Sequence, residues 1–500
     1  MMVSTAVSRR QRRETQRSVR YSHRRQLTVA ISSLVTIALF AGYCVADVTD
    51  VLPGPLTLTN VSEPAFADPA TAKAGATIAG DFDAAKPIDA TAAARLVDEL
   101  LAAEGVGSDV SVIIEDAQGA VAAEHEAGTA REPASTMKTL TALAASSTLN
   151  MASTLDTQVF LTQTDGGNTL TLKGNGDMLL GAGTSDPDHI NGRAGLATLA
   201  GSVALALTQR GIDTVRLDYD DSLFGEERVP AGLRASDGTG DVTSGDYTMY
   251  YTPVSSMAID GGRQYTDALP APANPDDSGG YPELSQHTAA DVAERFAALL
   301  AEQGITVDGA PTEGSTPAGV SPIASVSSAT LAEILAFTLR HSDNTLAEEF
   351  GRLTALATGA QNTPAGGTKA VHDVLDGLGI DTSGLTMADC SGLSPDSKLT
   401  VRTLAAVQQR NLTAGGAAAA AEGLSIAGLV GTAQYRYDDE AVAGLLRVKT
   451  GSLASVTSMA GNVSRTNGGA LAFAVVVNNP EDMDAARSAI DAFITKLAGL

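Results

Sequence analysis

Three short patterns, each present once, tie distant parts of this 500-residue chain to one another. Of its eight lysines, Lys138 alone has a serine three positions upstream, in Ser135-Thr136-Met137-Lys138. Lys449 alone is followed by a hydroxyl residue and glycine, in Lys449-Thr450-Gly451, and Ser342-Asp343-Asn344 is the one Ser-x-Asn. Singly, each is commonplace: serines open many helices, Lys-Thr-Gly often ends a strand in a turn, and Ser-Asp-Asn between helices often caps the second. In the order Ser-x-x-Lys, Ser-x-Asn, Lys-Thr-Gly they make a strong joint signal.

The local sequence gives each pattern a setting. TAAARLVDELLAAEG, with Leu96, Val97, Leu100 and Leu101 on one face, predicts a helix, and DVSVIIEDAQGAVAAEHEAG two strands about a turn at Asp116–Gly119. Ser135 opens the periodic run STMKTLTALAA, which places it at a helix start with Lys138 one turn later. A helix from Thr330 breaks at Ser342–Asn344 and resumes in TLAEEFGRLTALATG. GLLRVKTGS, VTSMAGNVS and ALAFAVVVNN predict three successive strands. The closing helix carries Ile490, Phe493, Ile494 and Leu497 on one face. Residues 156–320 have a different texture, short alternating runs between Gly- and Asp-rich turns, with one clear helix capped by Thr288.

These residue types suffice for acyl transfer through a serine ester. A serine hydroxyl needs a base to take its proton, and a lysine becomes a base when burial and a nearby cation lower its pKa. Lys138 is in reach of Ser135, and Lys449 supplies a second cation that also attracts a substrate carboxylate. Ser342 can pass a proton to a leaving amine, and Asn344 can bond a substrate amide. The backbone N–H groups of Ser135 and Ser452 are the candidates for holding the oxyanion, beside Thr450 and Gly451. No His-x-x-His or His-Glu-x-x-His pattern occurs among the six histidines, so neither a metal nor a cofactor is expected. His341 beside Ser342 lacks a Gly-x-Ser-x-Gly elbow and reads as a flanking residue.

With its three motifs in this order, the chain resembles the penicillin-recognising serine D,D-peptidases, and within them the low-molecular-mass class C, DacB-like D-alanyl-D-alanine carboxypeptidases/endopeptidases of peptidase family S13. The separation of 207 positions from Ser135 to Ser342 carries that assignment, since this group has extra domains in that interval. YYTPVSSMAIDGG (250–262) and ADCSGLSPDSKLT (388–400) also look like family segments. Cys390 departs from the usual glycine and Pro395 from a common arginine, in a loop near the substrate in relatives. The resemblance implies an α/β (α+β) fold: a β-lactamase/transpeptidase-like domain, its antiparallel sheet flanked by helices, carrying a large, mainly β insertion between the first and second motifs. It implies a serine carboxypeptidase/endopeptidase acting on peptidoglycan stem peptides and inhibited by β-lactams. The alternatives are a β-lactamase, for which no dedicated deacylating glutamate is recognised, and a non-catalytic wall-binding protein on the same scaffold. Turnover of a β-lactam separates the first two, and covalent labelling separates both from the third.

The N-terminus fixes the compartment. Residues 1–25 hold eight arginines and one acid, and Leu27–Ala46 carries no charge across twenty residues, just enough to span a bilayer. Basic before and acidic after orients the body outside the cytoplasm, and the length of the run favours an uncleaved anchor over a signal peptide. A net charge of −25 despite that basic head argues against nucleic-acid binding. With Cys44 in the apolar run, Cys390 is alone in the body and no internal disulfide is expected. The expected layout is a cytoplasmic tail (1–26), a membrane segment (27–46), a linker (47–87) and a transpeptidase-like domain assembled from residues 88–155 and 321–500, with residues 156–320 inserted between them.

Overall fold

The computed structural model describes residues 6–48, 83, 86–237, 239, 241–243, 247–277, 279–413, 417–437 and 442–500, with the side chains of the first helix from residue 26 onward. The chain forms two units, Met1–Ile78 and Ala79–Leu500. In the first, helix α1 (Ala6–Val48) runs through the basic head as well as the apolar segment, and Gln26–Val48 is long and apolar enough to cross a bilayer. The expected linker lies almost wholly outside the described residues.

The second unit begins with α2 (Ala90–Leu101), whose N-terminus is capped by Asp89 accepting from the N–H groups of Thr91 and Ala92. Strands β1 (Val110–Asp116) and β2 (Val121–His125) follow, then a 3₁₀ turn (Ala134–Met137) leading directly into α3 (Lys138–Thr148). Next come β3 (Thr154–Thr164), β4 (Gly167–Lys173), β5 (Asp177–Leu180), α4 (Leu196–Thr208), β6 (Thr214–Asp220), the single turn α5 (Tyr247–Tyr250), β7 (Met257–Ile259), α6 (Thr288–Glu302), β8 (Thr306–Val307), β9 (Thr312–Glu313) and β10 (Ala324–Thr330). The chain then returns through α7 (Leu331–His341), α8 (Asn344–Thr358), α9 (Pro364–Gly377), α10 (Val401–Leu412), α11 (Ala418–Glu422), β11 (Ser425–Ile426), β12 (Leu446–Leu453), β13 (Val456–Ser464), β14 (Ala470–Asn478) and α12 (Met483–Leu497).

The first sheet is antiparallel, in the order β11-β12-β13-β14-β1-β2. Its centre joins the two ends of the unit, with Val110 opposite Val477. Alternation sorts the side chains: Val110, Val112 and Ile114 of β1 and Phe473 and Val475 of β14 meet α2 and α12, while Ile113, Ala474 and Val476 meet α3, α9 and α10. Two-sided burial is why these strands read as near-continuous apolar runs. Ile490, Phe493, Ile494 and Leu497 are buried on the α12 face, as the sequence spacing predicts.

The second sheet, β10-β3-β4-β6-β8 with β9 also against β6, spans residues 154–330 and mixes antiparallel and parallel pairs. Here the expectation of a mainly β segment needs revising. Two helices, α4 and α6, bury their apolar faces with this sheet, so the segment is mixed α/β. In α4 the sequence LATLAGSVALALT has almost no polar face, so it shows no helical period although Leu196, Leu199, Ala200, Val203 and Leu207 are all buried. Parallel strands need crossovers, and α4 lies between β4 and β6 in sequence, α6 between β6 and β8. Thr288 is the first residue of α6 and makes no capping bond.

Candidate active site

The 3₁₀ turn carrying Ser135 is pinned against β13: the hydroxyls of Ser458 and Thr136 both donate to the carbonyl of Pro133 at 2.7 Å. Strand β12 passes so close that a Cβ at Gly451 would stand 2.9 Å from the Pro133 carbonyl oxygen, 3.1 Å from the Ser135 nitrogen and 2.2 Å from Ser458 Oγ. Glycine is therefore the residue that lets the Lys-Thr-Gly strand lie against the serine.

Lys138 opens α3 with its side chain 1 % exposed. Its Nζ donates to Ser135 Oγ at 2.9 Å, Asn344 Oδ1 at 2.7 Å and the Ser391 carbonyl at 2.9 Å. Burial disfavours the ammonium and brings its pKa down to about 7, against the opposing pull of Asp389 and Asp343. Lys449 is fully buried, donating to Ser342 Oγ at 2.9 Å and to the Thr450 carbonyl at 2.8 Å. Its pKa lies well below the ordinary lysine value, through burial first and the Lys138 cation second. Two buried ammonium groups so placed disfavour double protonation.

The Ser-x-Asn corner follows from local backbone chemistry. Thr330 and Glu333 form a reciprocal capping box at the start of α7, and Ser342 ends that helix in the left-handed region (φ 58°). Asp343 accepts from the Leu346 N–H to cap α8, and Arg263 clamps it with a 2.8 Å ion pair. Ser342 is thereby aimed at Lys449 and Asn344 at Lys138. The Asn344 amide nitrogen donates to the Tyr250 carbonyl at 2.9 Å, so both ends of this side chain are engaged.

The segment 388–400 lies directly behind Lys138. Buried Asp389 accepts from the N–H groups of Ser391 (2.9 Å), Gly392 (2.5 Å) and Ser394 (2.7 Å), folding the loop so that the Ser391 carbonyl reaches Lys138. Gly392 (φ 78°) approaches the serine turn so closely that a Cβ would lie 2.0 Å from the Ala134 carbonyl oxygen. Cys390, which departs from the usual glycine in that segment, is fully buried in the apolar core beneath α3. Its N–H donates to Glu348 at 2.9 Å and its carbonyl accepts from Thr141 at 2.7 Å. Burial pushes its thiol pKa well up, the wrong direction for a nucleophile.

Ser135, Ser342, Asn344, Thr450 and Ser452 line one cleft, with Lys138, Lys449 and Gly451 buried at its wall, so all eight expected site residues converge. His341 also lines it but stacks on Phe337 at 4.1 Å. Sequence reasoning misses Asp389, although the segment 388–400 that holds it stands out as family-like. It also misses Thr432, which shares a 2.8 Å hydroxyl contact with Thr450 and for which the sequence offers no signal.

Comparison with known proteins identifies the family and the fold. The family model described as D-Ala-D-Ala carboxypeptidase 3 (S13) family matches residues 93–279 and 283–497. Carboxypeptidase DacB of Mycolicibacterium smegmatis is 32 % identical over 480 residues, covering 94 % of this chain and 95 % of that one. Carboxypeptidase Rv3627c of Mycobacterium tuberculosis is 33 % identical over 374 residues, covering 73 % and 74 %. The crystal structure of penicillin binding protein 4 (dacB) from Haemophilus influenzae superposes with a TM-score of 0.65 at 21 % identity, over 83 % of this chain and all of the other, and shows the same fold.

Proposed function

Because this chain belongs to the D-Ala-D-Ala carboxypeptidase 3 (S13) family and is an enzyme of that kind, we propose that Ser135 is its acylated nucleophile, with Lys138 the base and Ser342 the proton relay. The observation that carries this reading is the dehydrated Lys138 amine, 2.9 Å from Ser135 Oγ with a pKa of about 7. Neutral Lys138 takes the hydroxyl proton as Ser135 Oγ attacks the carbonyl of the penultimate D-Ala. The N–H groups of Ser135 and Ser452 hold the resulting oxyanion. Ser342, tied to Lys449, passes a proton to the departing D-Ala amine as the C–N bond breaks. Water, deprotonated by Lys138, then hydrolyses the ester and restores Ser135. Lys449 and Thr450 receive the terminal carboxylate, Gly451 keeps the strand close, and Asn344 orients both base and substrate amide.

A β-lactam presents a strained amide to the same nucleophile and is expected to acylate it. Cleavage of D-Ala-linked cross-bridges requires no further group, so endopeptidase action belongs to the same proposal. The layout proposed is a catalytic domain from residues 88–155 and 321–500 with residues 156–320 inserted. Helix Gln26–Val48 supports an extracytoplasmic enzyme held in the cytoplasmic membrane. Labelling with a fluorescent penicillin tests the core of the reading. Ser135→Ala should abolish labelling and D-Ala release while leaving thermal unfolding nearly unchanged, and labelling that survives in this variant refutes the assignment. Products from isolated muropeptides, free D-Ala or split dimers, then divide the two activities.

A further inference from the structure

In a chain of net charge −25, no aspartate or glutamate stands among the described residues lining the cleft, whereas Arg436 and Arg487 both do. Neither belongs to the three motifs. Arg436 is fixed, its guanidinium lying 2.9 and 3.1 Å from the two oxygens of Asp491, with both side chains largely buried. Asp491 is one helical turn beyond Arg487 on α12. Arg487 is loosely held: its one ion pair among the described residues, to Asp484 at 3.2 Å, involves a carboxylate 92 % exposed to solvent. Such a pair contributes little, so an arriving anion displaces it at small cost.

The direction of β12 places these arginines along the substrate. Strand β11 pairs with β12 only at Arg447 and Val448. From Lys449 onward no described strand covers that edge, and Thr450, Ser452, Leu453 and Ala454 face the cleft. With the terminal carboxylate at Lys449 and the scissile carbonyl between Ser135 and Gly451, the acyl side of the substrate continues past Ser452 toward Ala454. Helix α12 starts beside that turn, where the Asn479 N–H donates to the Ser455 carbonyl at 2.8 Å. Arg487 thus stands at the acyl end of the cleft, remote from the leaving group.

Resting on the serine-ester reading above, we infer that Arg487, backed by Arg436, receives a carboxylate on the acyl side of the scissile bond. The substrates preferred are therefore stem peptides whose side chain before the D-Ala-D-Ala unit ends in a free carboxylate rather than its amide. A guanidinium fork matches a carboxylate with two parallel N–H···O bonds and has no such match with a carboxamide.

The test uses the full chain in detergent and two synthetic peptides ending in D-Ala-D-Ala, identical except that this side-chain carboxyl is free in one and amidated in the other. The unmodified chain should favour the free acid by about tenfold in kcat/KM, as expected for a charge-assisted hydrogen bond at a partly enclosed site. Arg487→Gln should bring the ratio of the two peptides to near one, and Arg487→Lys should restore part of it. Arg487 is 40 % exposed on its helix, so neither substitution threatens the fold. A ratio near one in the unmodified chain, or a preference that persists in Arg487→Gln, overturns the inference. Penicillin labelling of the unmodified chain, run alongside, tells the two readings apart. Labelling without a carboxylate preference removes the arginine subsite alone, and no labelling removes the serine-ester reading and the subsite with it.

Discussion

Lys138 Nζ lies closer to Asn344 Oδ1, at 2.7 Å, than to the hydroxyl it is proposed to deprotonate, at 2.9 Å. Asn344, proposed to bond the substrate amide, thus also positions the Lys138 amine. An amide oxygen orients the amine without the full charge that would keep it protonated. Carboxylates do act on Lys138, but Asp389 spends its oxygens on three backbone N–H groups and Asp343 is paired with Arg263.

Acylation should accordingly rise with pH through about 7, because neutral Lys138 is the active form and its pKa lies there. Asn344→Asp places a negative charge against the amine, favours the ammonium, and should move that midpoint up by about 1–3 units. At neutral pH the variant then loses roughly tenfold or more in acylation rate. The rate of labelling by a fluorescent penicillin across pH 5–10 measures this, and an unmoved midpoint would detach Asn344 from the base.

Charge alone would suggest that Lys449→Arg keeps part of its activity. The burial of Lys449 between Ser342 and the Thr450 carbonyl says otherwise, since a guanidinium needs space that this enclosed position lacks. Acylation by Lys449→Arg should fall by well over tenfold, with the loss in kcat/KM for D-Ala release at least as large. Retention of a third or more of the rate would show that the pocket yields.

Cys390 and Gly351 form a matched pair. A Cβ at Gly351 would lie 2.2 Å from Cys390 Sγ, so Gly351→Ala should destabilise the protein by about 1–3 kcal/mol. Cys390→Gly, by removing the sulfur, should recover much of that loss in the double variant, a coupling that denaturant titration reads directly. The native thiol, fully buried with a raised pKa, should resist alkylation until the protein unfolds.

Asp177 is a buried carboxyl with one oxygen on the Leu179 N–H at 3.0 Å and the other without a donor among the described residues. Burial raises its pKa from 3.8 to about 7. The folded state then holds a proton that the unfolded chain releases. Its stabilising contribution is complete below the unfolded value and lost as pH rises through about 7. Asp177→Asn should raise Tm at pH 8.5 by about 2–4 °C and change it less at pH 5, as seen by calorimetry. A shift of equal size at both values would point to packing rather than ionisation.

What the sequence reveals is what local periodicity writes into it. The corner at Ser342 shows because Thr330, Glu333 and Asp343 are cap residues at their proper offsets, and the last three strands show because each is a compact apolar run. Helix α4 stays hidden because its exposed side is nearly as apolar as its buried one, Leu205 included, which erases its period, and the parallel pairing of β4 with β6 leaves no local trace. In the site, residues inside short motifs are visible from their spacing. Asp389 and Thr432 act through contacts hundreds of residues away in sequence or across a strand edge, and only folding reveals them.

The pairing of β1 with β14 also sets an order of events during synthesis. Val110 must wait for Val477, and Lys449 must arrive beside a serine turn made 314 residues earlier. The sheet of residues 154–330, by contrast, has all its strands in hand once Thr330 has emerged. Domains complete in hand tend to fold as units while the chain is still growing. The emerging chain therefore carries the strands of its central sheet before those of its catalytic half, and the cleft between Ser135 and Lys449 is absent until the last strands are made.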